Sequence, residues 1–300
     1  MKKTFLPLLL LCALLIFACS KQAIRPKYAK PLVLVSVSPY DEFVRRIAGS
    51  TVEVKAAVPA NFNAHLFEAT PKQIAGFEHA VLWMGVGEPF EKNLVQALQS
   101  YNKNLKIIDL GNLPHLHQYA SDASTHSCSH DHGHHDDEGI DKHFYSSPHL
   151  ALEQARLILA ALEKAFPHHA KLYKTNFSIL EKEFQDLIAS THQLLAPCKG
   201  KAIIISHPSL GYFCHDYHLL QLALECEGKT PLPEDLVSTL SFAKTHKVLC
   251  VFGLEQFDNK GALAISNHLQ LPLYIINLND PDYFNNILHI AKLIATNNHD

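Results

Sequence analysis

The sequence predicts an α/β protein of two lobes, each a mostly parallel four-stranded sheet with flanking helices, joined by one long linking helix. Three observations carry this reading. Short apolar runs alternate along the chain with stretches of helical period, as in α/β folds with parallel sheets. The runs fall into two sets of four. Between the sets lie 28 residues, His168–Leu195, without glycine or proline.

In chain order, Pro31–Val37 (PLVLVSV) reads as a buried strand, and Tyr40, Phe43, Val44 and Ile47 then follow at helical spacing. Thr51–Val58 alternates Val52, Val54, Ala56 and Val58 as a second strand. Pro71 opens a short helix at its first position. Ala80–Val86 is a third strand, Pro89–Gln99 an amphipathic helix and Leu105–Leu110 a fourth strand. Pro148–Phe166 is amphipathic and is ended by Pro167. The linking stretch carries a stripe of Leu172, Phe177, Leu180, Phe184, Leu187, Ile188 and Leu195. As one helix it would be roughly 40 Å long at 1.5 Å per residue. Strands are then expected at Lys201–Ser206, Leu219–Cys226, Val248–Leu254 and Leu273–Leu278. Helices are expected from about Leu210 and over Pro233–Thr245, Asn259–Leu269 and Tyr283–Thr296.

The N-terminus reads as an export signal over residues 1–18: Lys2 and Lys3, then a fourteen-residue apolar run, Phe5–Ala18, too short to span a bilayer. Ala18-Cys19 resembles the site at which a bacterial lipoprotein is cleaved and its cysteine lipidated, with Phe17 bulky for that pattern. Residues 19–30 then form a polar tether. The expected organisation is a first lobe over 31–167, a linking helix over 168–196 and a second lobe over 197–300. An exported chain can keep disulfides. Of the five cysteines after Cys19, Cys128 stands apart, and Cys198, Cys214, Cys226 and Cys250 either pair or are buried as small apolar residues. A formal net charge of −3 offers no basic footprint, which speaks against nucleic acid as a partner.

The 21 histidines are the compositional anomaly. The stretch His115–His143 holds eight of them with a cluster of acidic residues and no apolar period, so 115–142 is expected to be a loop. Imidazole, carboxylate and thiol at this density are ligands for divalent, borderline metals such as zinc. His115, His117, His126, Cys128, His130, His132, His134 and His135 are candidates for weak accessory sites, against a plain spacer as the alternative.

Ligands of open α/β sheets bind beyond the carboxyl ends of the strands. His65 lies beyond the second strand, His143 closes the loop after the fourth, His207 directly follows the Lys201–Ser206 strand, Glu255 follows Val248–Leu254, and Asp280 follows Leu273–Leu278. Three imidazoles and a carboxylate supply a tetrahedral zinc shell with two ligands from each lobe.

Local context singles these residues out. The stretch Asn61-Phe62-Asn63-Ala64-His65-Leu66-Phe67-Glu68-Ala69-Thr70-Pro71 resembles the first ligand segment of the zinc/manganese solute-binding proteins of ABC transporters, the cluster A-I family. Asp141-Lys142-His143-Phe144-Tyr145-Ser146-Ser147-Pro148 resembles its second, with Lys142 and Tyr145 as departures. Ser206-His207-Pro208-Ser209-Leu210-Gly211-Tyr212-Phe213 resembles its third, and Val251-Phe252-Gly253-Leu254-Glu255-Gln256 its Phe-x-x-Glu-x-Gln segment.

The resemblance implies capture of a divalent metal in the cleft between lobes and delivery to an ABC permease with its cytoplasmic ATPase. It implies a periplasmic or cell-surface monomer held by a lipid at Cys19, and no catalysis. It makes His65, His143 and His207 ligands, with Asp280 as the favoured fourth and water or Glu255 as fallback. His207 and the histidine-rich loop point to zinc, with manganese or iron as alternatives. A zinc-buffering or adhesive surface lipoprotein remains a second reading. A zinc hydrolase is a remote third, since the sequence contains neither HExxH nor GxSxG.

Overall fold

In the computed structural model, both sets of apolar runs form parallel sheets of the same strand order. The structure describes residues 30–113, 140–224 and 233–298. The expected leader, Cys19, the accessory candidates His115–His135 with Cys128, and Cys226 lie outside the described residues.

The first sheet comprises β1 (Leu32–Val35), β2 (Glu53–Ala56), β3 (Ala80–Gly85) and β4 (Lys106–Asp109), in the order β2-β1-β3-β4. The second comprises β5 (Ala202–Ile205), β6 (Leu220–Ala223), β7 (Val248–Leu254) and β8 (Leu273–Ile276), in the order β6-β5-β7-β8. All pairings are parallel, with Val33 opposite Val54 and Leu82, and Ile204 opposite Leu222 and Val251. β1 and β5 are buried along their full length, as continuous apolar runs at the middle of covered sheets should be. Both sheets belong to one compact unit that begins at Leu32.

The helices follow punctuation present in the sequence. In the first half they are α1 (Ser38–Ala48), α2 (Pro71–Phe77), α3 (Pro89–Tyr101) and α4 (Pro148–Ala165). Prolines stand in the first turn of all four, where a missing N–H does no harm. Thr70 and Gln73 close a capping box on α2, and the Ser147 hydroxyl caps α4 by accepting from Leu150 N at 3.1 Å. The second half carries α6 (Gly211–Asp216), α7 (Pro233–Thr245), α8 (Lys260–Leu269) and α9 (Tyr283–Thr296).

The linking helix α5 runs from Ala170 to Leu195, preceded by a 3-10 turn at Pro167–His169. Its buried stripe is Tyr173, Phe177, Leu180, Phe184, Leu187, Thr191 and Leu195, a spacing of three and four throughout. Leu172, expected in the stripe, is 43% exposed; Tyr173, four residues before Phe177, takes its place. The sequence favoured the aliphatic residue, yet helical phase places the tyrosine inward, where its hydroxyl meets that of Thr51 at 2.8 Å.

α5 packs on α1 and α4 of the first lobe and on α9 of the second. At that junction Phe184 stacks edge-on against Phe43 at 5.2 Å and lies 4.8 Å from Phe284, while Phe43 meets Tyr283 at 4.9 Å. Polar contacts add to the seam: Tyr283 N donates to Glu42 Oε2 at 2.8 Å, Tyr283 OH to the Tyr145 carbonyl at 2.8 Å, and Arg46 pairs with Glu183. A single apolar core therefore runs from Val33 of one sheet to Ile203 of the other.

Cys198, Cys214 and Cys250 are buried and free, so none pairs with another; they fill space as small apolar residues, and burial pushes the Cys250 thiol up to about 12. Phe184→Ala should cost about 3–5 kcal/mol of unfolding free energy in urea titration. Leu172→Ala on the solvent face should stay within about 0.5 kcal/mol of wild type.

Candidate metal centre

Each candidate histidine is held by its own stretch of backbone. His65 occupies a 3-10 turn, Ala64–Leu66, just beyond β2, where Asn63 Oδ1 accepts from His65 N at 2.9 Å. His143 opens another 3-10 turn ahead of α4. The Asp141 side chain accepts from its backbone N at 2.9 Å and lies 2.6 Å from its Nδ1. Tyr212, on α6 of the second lobe, donates to the Asp141 carbonyl at 2.8 Å and fixes that turn across the cleft. His207 follows β5 directly, is 3% exposed, and stacks on Phe257 at 4.5 Å and 20°.

The three rings converge. His65 Nε2 and His207 Nε2 are 3.0 Å apart, and one ligand nitrogen from each of His65, His143 and His207 lies within 4.8 Å of the other two. Nitrogens around a tetrahedral zinc ion, with bonds of about 2.0–2.1 Å, stand about 3.3 Å from one another. Small side-chain adjustments would close all three onto one ion.

Asp280 is not among them. Its carboxylate accepts from Asp282 N at 2.8 Å and serves the turn into α9. The preceding residue, Asn279, lines the pocket instead, with its Oδ1 accepting from Tyr145 OH at 3.0 Å. The fallback Glu255 is exposed, outside the pocket, and accepts from Asn277 Nδ2 at 3.1 Å. Its neighbour Gln256 reaches inward and donates from Nε2 to the Ala60 carbonyl across the cleft at 2.7 Å. A shift of one residue along each strand-end turn separates the expected wall from the observed one.

Two carboxylates that the sequence reading passed over stand behind the rings. Asp141 backs His143, and Glu88, beyond β3, has its Oε2 3.6 Å from His65 Nδ1. Glu88 obeys the same strand-end rule, three residues beyond the end of β3.

Desolvation in the pocket lowers His65 to about 4, helped by the neighbouring His143. Burial lowers His207 to about 2, with His143 and His65 adding to the effect. Burial works against charge on His143 as well, but there the Asp141 carboxylate, by charge and by hydrogen bond, and Glu88 outweigh it, and the group ends above its ordinary value. Two rings are thus held as neutral imidazoles, the form that binds metal.

Residues 33–297 match the family model described as ZnuA, zinc-uptake complex component A, periplasmic. The chain belongs to that family. It is 27% identical over 264 residues to a putative metal-binding protein of Chlamydia trachomatis serovar D, covering 88% of this chain and 90% of the relative. It is 24% identical over 279 residues to the high-affinity zinc uptake system protein ZnuA of Bacillus subtilis strain 168, covering 89% and 85%. A crystal structure of ZnuA superposes with a TM-score of 0.78 at 27% identity, covering 90% of this chain and all of that one. The family is a solute-binding component of metal transport. Among the described residues no helix is long and apolar enough to cross a membrane.

The titration of the metal-free protein follows from the two lowered histidines. Between about pH 6.5 and 4 the unfolded chain takes up protons at His65 and His207 that the folded chain refuses, so stability falls with pH across that window. His143 acts in the opposite sense, since its raised value favours the folded state below the unfolded value and that benefit is lost as pH rises. In chelator-treated protein, His207→Ala should therefore lose less melting temperature than wild type between pH 7 and 4.5. Parallel curves would contradict the assignment.

Proposed function

We propose that this chain captures zinc outside the cytoplasm with His65, His143 and His207, and hands it to an ABC permease driven by a cytoplasmic ATPase. The observation that carries the reading is the meeting of three imidazoles from two lobes within 4.8 Å. Neutral nitrogen donors suit zinc, whereas manganese favours more carboxylate. Asn279 rather than Asp280 lines the pocket, so no carboxylate of the second lobe stands in its wall, in keeping with a nitrogen-rich donor set. Water fills that position, as in other three-histidine sites. The mechanism is reversible coordination, not catalysis: protons compete for His143, the ring whose value is raised, and affinity falls as pH drops below that raised value.

The protein acts as a monomer, anchored through a lipid on Cys19, with residues 19–30 as its tether. His115, His117, His126, Cys128, His130, His132, His134 and His135 add weak sites that gather zinc near the cleft.

Competition titration with a chelator tests the site. Apparent zinc binding energies of about 10–16 kcal/mol shared over four ligands give roughly 3 kcal/mol each, a loss of about 100-fold for His65→Ala, His143→Ala or His207→Ala. Asp280→Ala should bind as wild type does. A weakened Asp280→Ala beside unaffected histidine variants would overturn the ligand set. Deleting residues 115–135 should lower total stoichiometry and leave one tight site.

A further inference from the structure

Glu88 stands out among the groups that the proposed function leaves unused. It is the residue between Gly87, whose φ of +86° turns the chain out of β3, and Pro89, the first residue of α3. A residue before proline is confined to extended backbone, and Glu88 has φ −60° and ψ 144°. This places it at the N-cap of α3, where an acidic side chain would ordinarily accept backbone N–H groups. Glu88 makes no such bond. The turn is served by Glu91, whose carboxylate accepts from Ser36 Oγ at 2.5 Å, Val86 N at 3.0 Å and Gly87 N at 3.2 Å.

Glu88 is thereby released from local work and turned into the pocket. It is 4% exposed, it lines the cavity with His65 and His143, and its Oε2 has no hydrogen-bond partner among the described residues. A carboxylate oxygen buried without a partner is strongly destabilising, so a structure that keeps one has a use for it. The nearest group is His65 Nδ1 at 3.6 Å. The opposite nitrogen of the same ring, Nε2, faces His207 Nε2 at 3.0 Å. The charged and titratable groups acting on Glu88 are His143, Glu91, Asp141 and Lys142.

We propose that Glu88 is a positioning residue of the metal site, accepting a hydrogen bond from His65 Nδ1–H so that His65 presents an unprotonated Nε2 to the ion. The inference rests on the zinc-site reading above. The two rims of the site then match: Asp141 backs His143 and Glu88 backs His65, each carboxylate fixing one imidazole tautomer and sharing the charge of the bound cation through the ring. The arrangement also settles which ring yields in the 3.0 Å contact between the two Nε2 atoms. With its proton on Nδ1, His65 accepts there, and His207 is the ring that must change from its Nε2–H to its Nδ1–H tautomer, by proton exchange with solvent, before its Nε2 can take zinc.

The test uses the full chain, with zinc itself as the probe. Glu88→Ala should lower zinc affinity 10–100-fold in chelator competition. Glu88→Gln, which keeps an oxygen acceptor but no charge, should lie between Ala and wild type. In the zinc-bound wild type the His65 Nδ1 proton should give a downfield imidazole resonance coupled to ring nitrogen; Glu88→Ala should move it upfield. A space-filling role would not move that signal in the isosteric Gln variant, whereas loss of the charged acceptor will. Wild-type affinity in Glu88→Ala, or an unchanged His65 resonance, overturns the proposal while leaving the three-histidine site standing. Wild-type affinity in His65→Ala removes the zinc-site reading and Glu88's role with it. Melting curves of the metal-free variants separate misfolding from either result, and Glu88→Gln, isosteric with the native residue, carries the test if Glu88→Ala fails to fold.

Discussion

The distance between the carboxyl ends of the two sheets is the constraint on which everything else depends. It is set at the seam between the lobes, where Phe43 of α1, Phe184 of α5 and Tyr283 of α9 close on one another at 4.9–5.8 Å. A helix of 26 residues carries that contact along both lobes. Closely packed cores resist continuous deformation, so the spacing of His65, in one lobe, and His207, in the other, is inherited from the seam. The hydrogen bonds that cross near the pocket, Tyr212 to Asp141 and Gln256 to Ala60, hold the same spacing locally. A cation joining the two lobes meets donors already in place, and little ordering entropy opposes its capture.

Within that frame the pocket separates donors from charge. The rings that reach the centre are neutral, because desolvation disfavours the charged form of His65 and His207. The carboxyl groups sit one bond network further out, at Asp141 and Glu88. A buried carboxylate in direct contact would bind harder cations as well. Placed behind an imidazole, it raises ligand basicity and fixes the ring while leaving the donor set nitrogen-rich. The proposed preference for zinc follows from that division.

Much of this was legible in the sequence, for identifiable reasons. The strand runs are short and bounded by Gly, Pro or polar turns, and the prolines at 71, 89 and 148 mark helix starts to the residue. His65, His143 and His207 were visible because strand ends confine the choice to a few positions. What escaped was phase. Leu172 and Tyr173 are equally apolar to a pattern count, and only tertiary packing decides which faces inward. Asn279 and Asp280 differ by one step in a turn before α9, where no periodicity operates. Glu88 hid for another reason: beside Pro89 at a helix start it reads as an ordinary acidic cap, and only its missing cap bond reveals that the side chain has turned away.

The most direct measurement is crystallographic. Crystals grown with equimolar zinc, with diffraction collected on both sides of the zinc absorption edge, should show one strong anomalous peak about 2.0–2.1 Å from a ring nitrogen of each of His65, His143 and His207. A peak that lies elsewhere, or that touches fewer than three of these rings, would contradict the account.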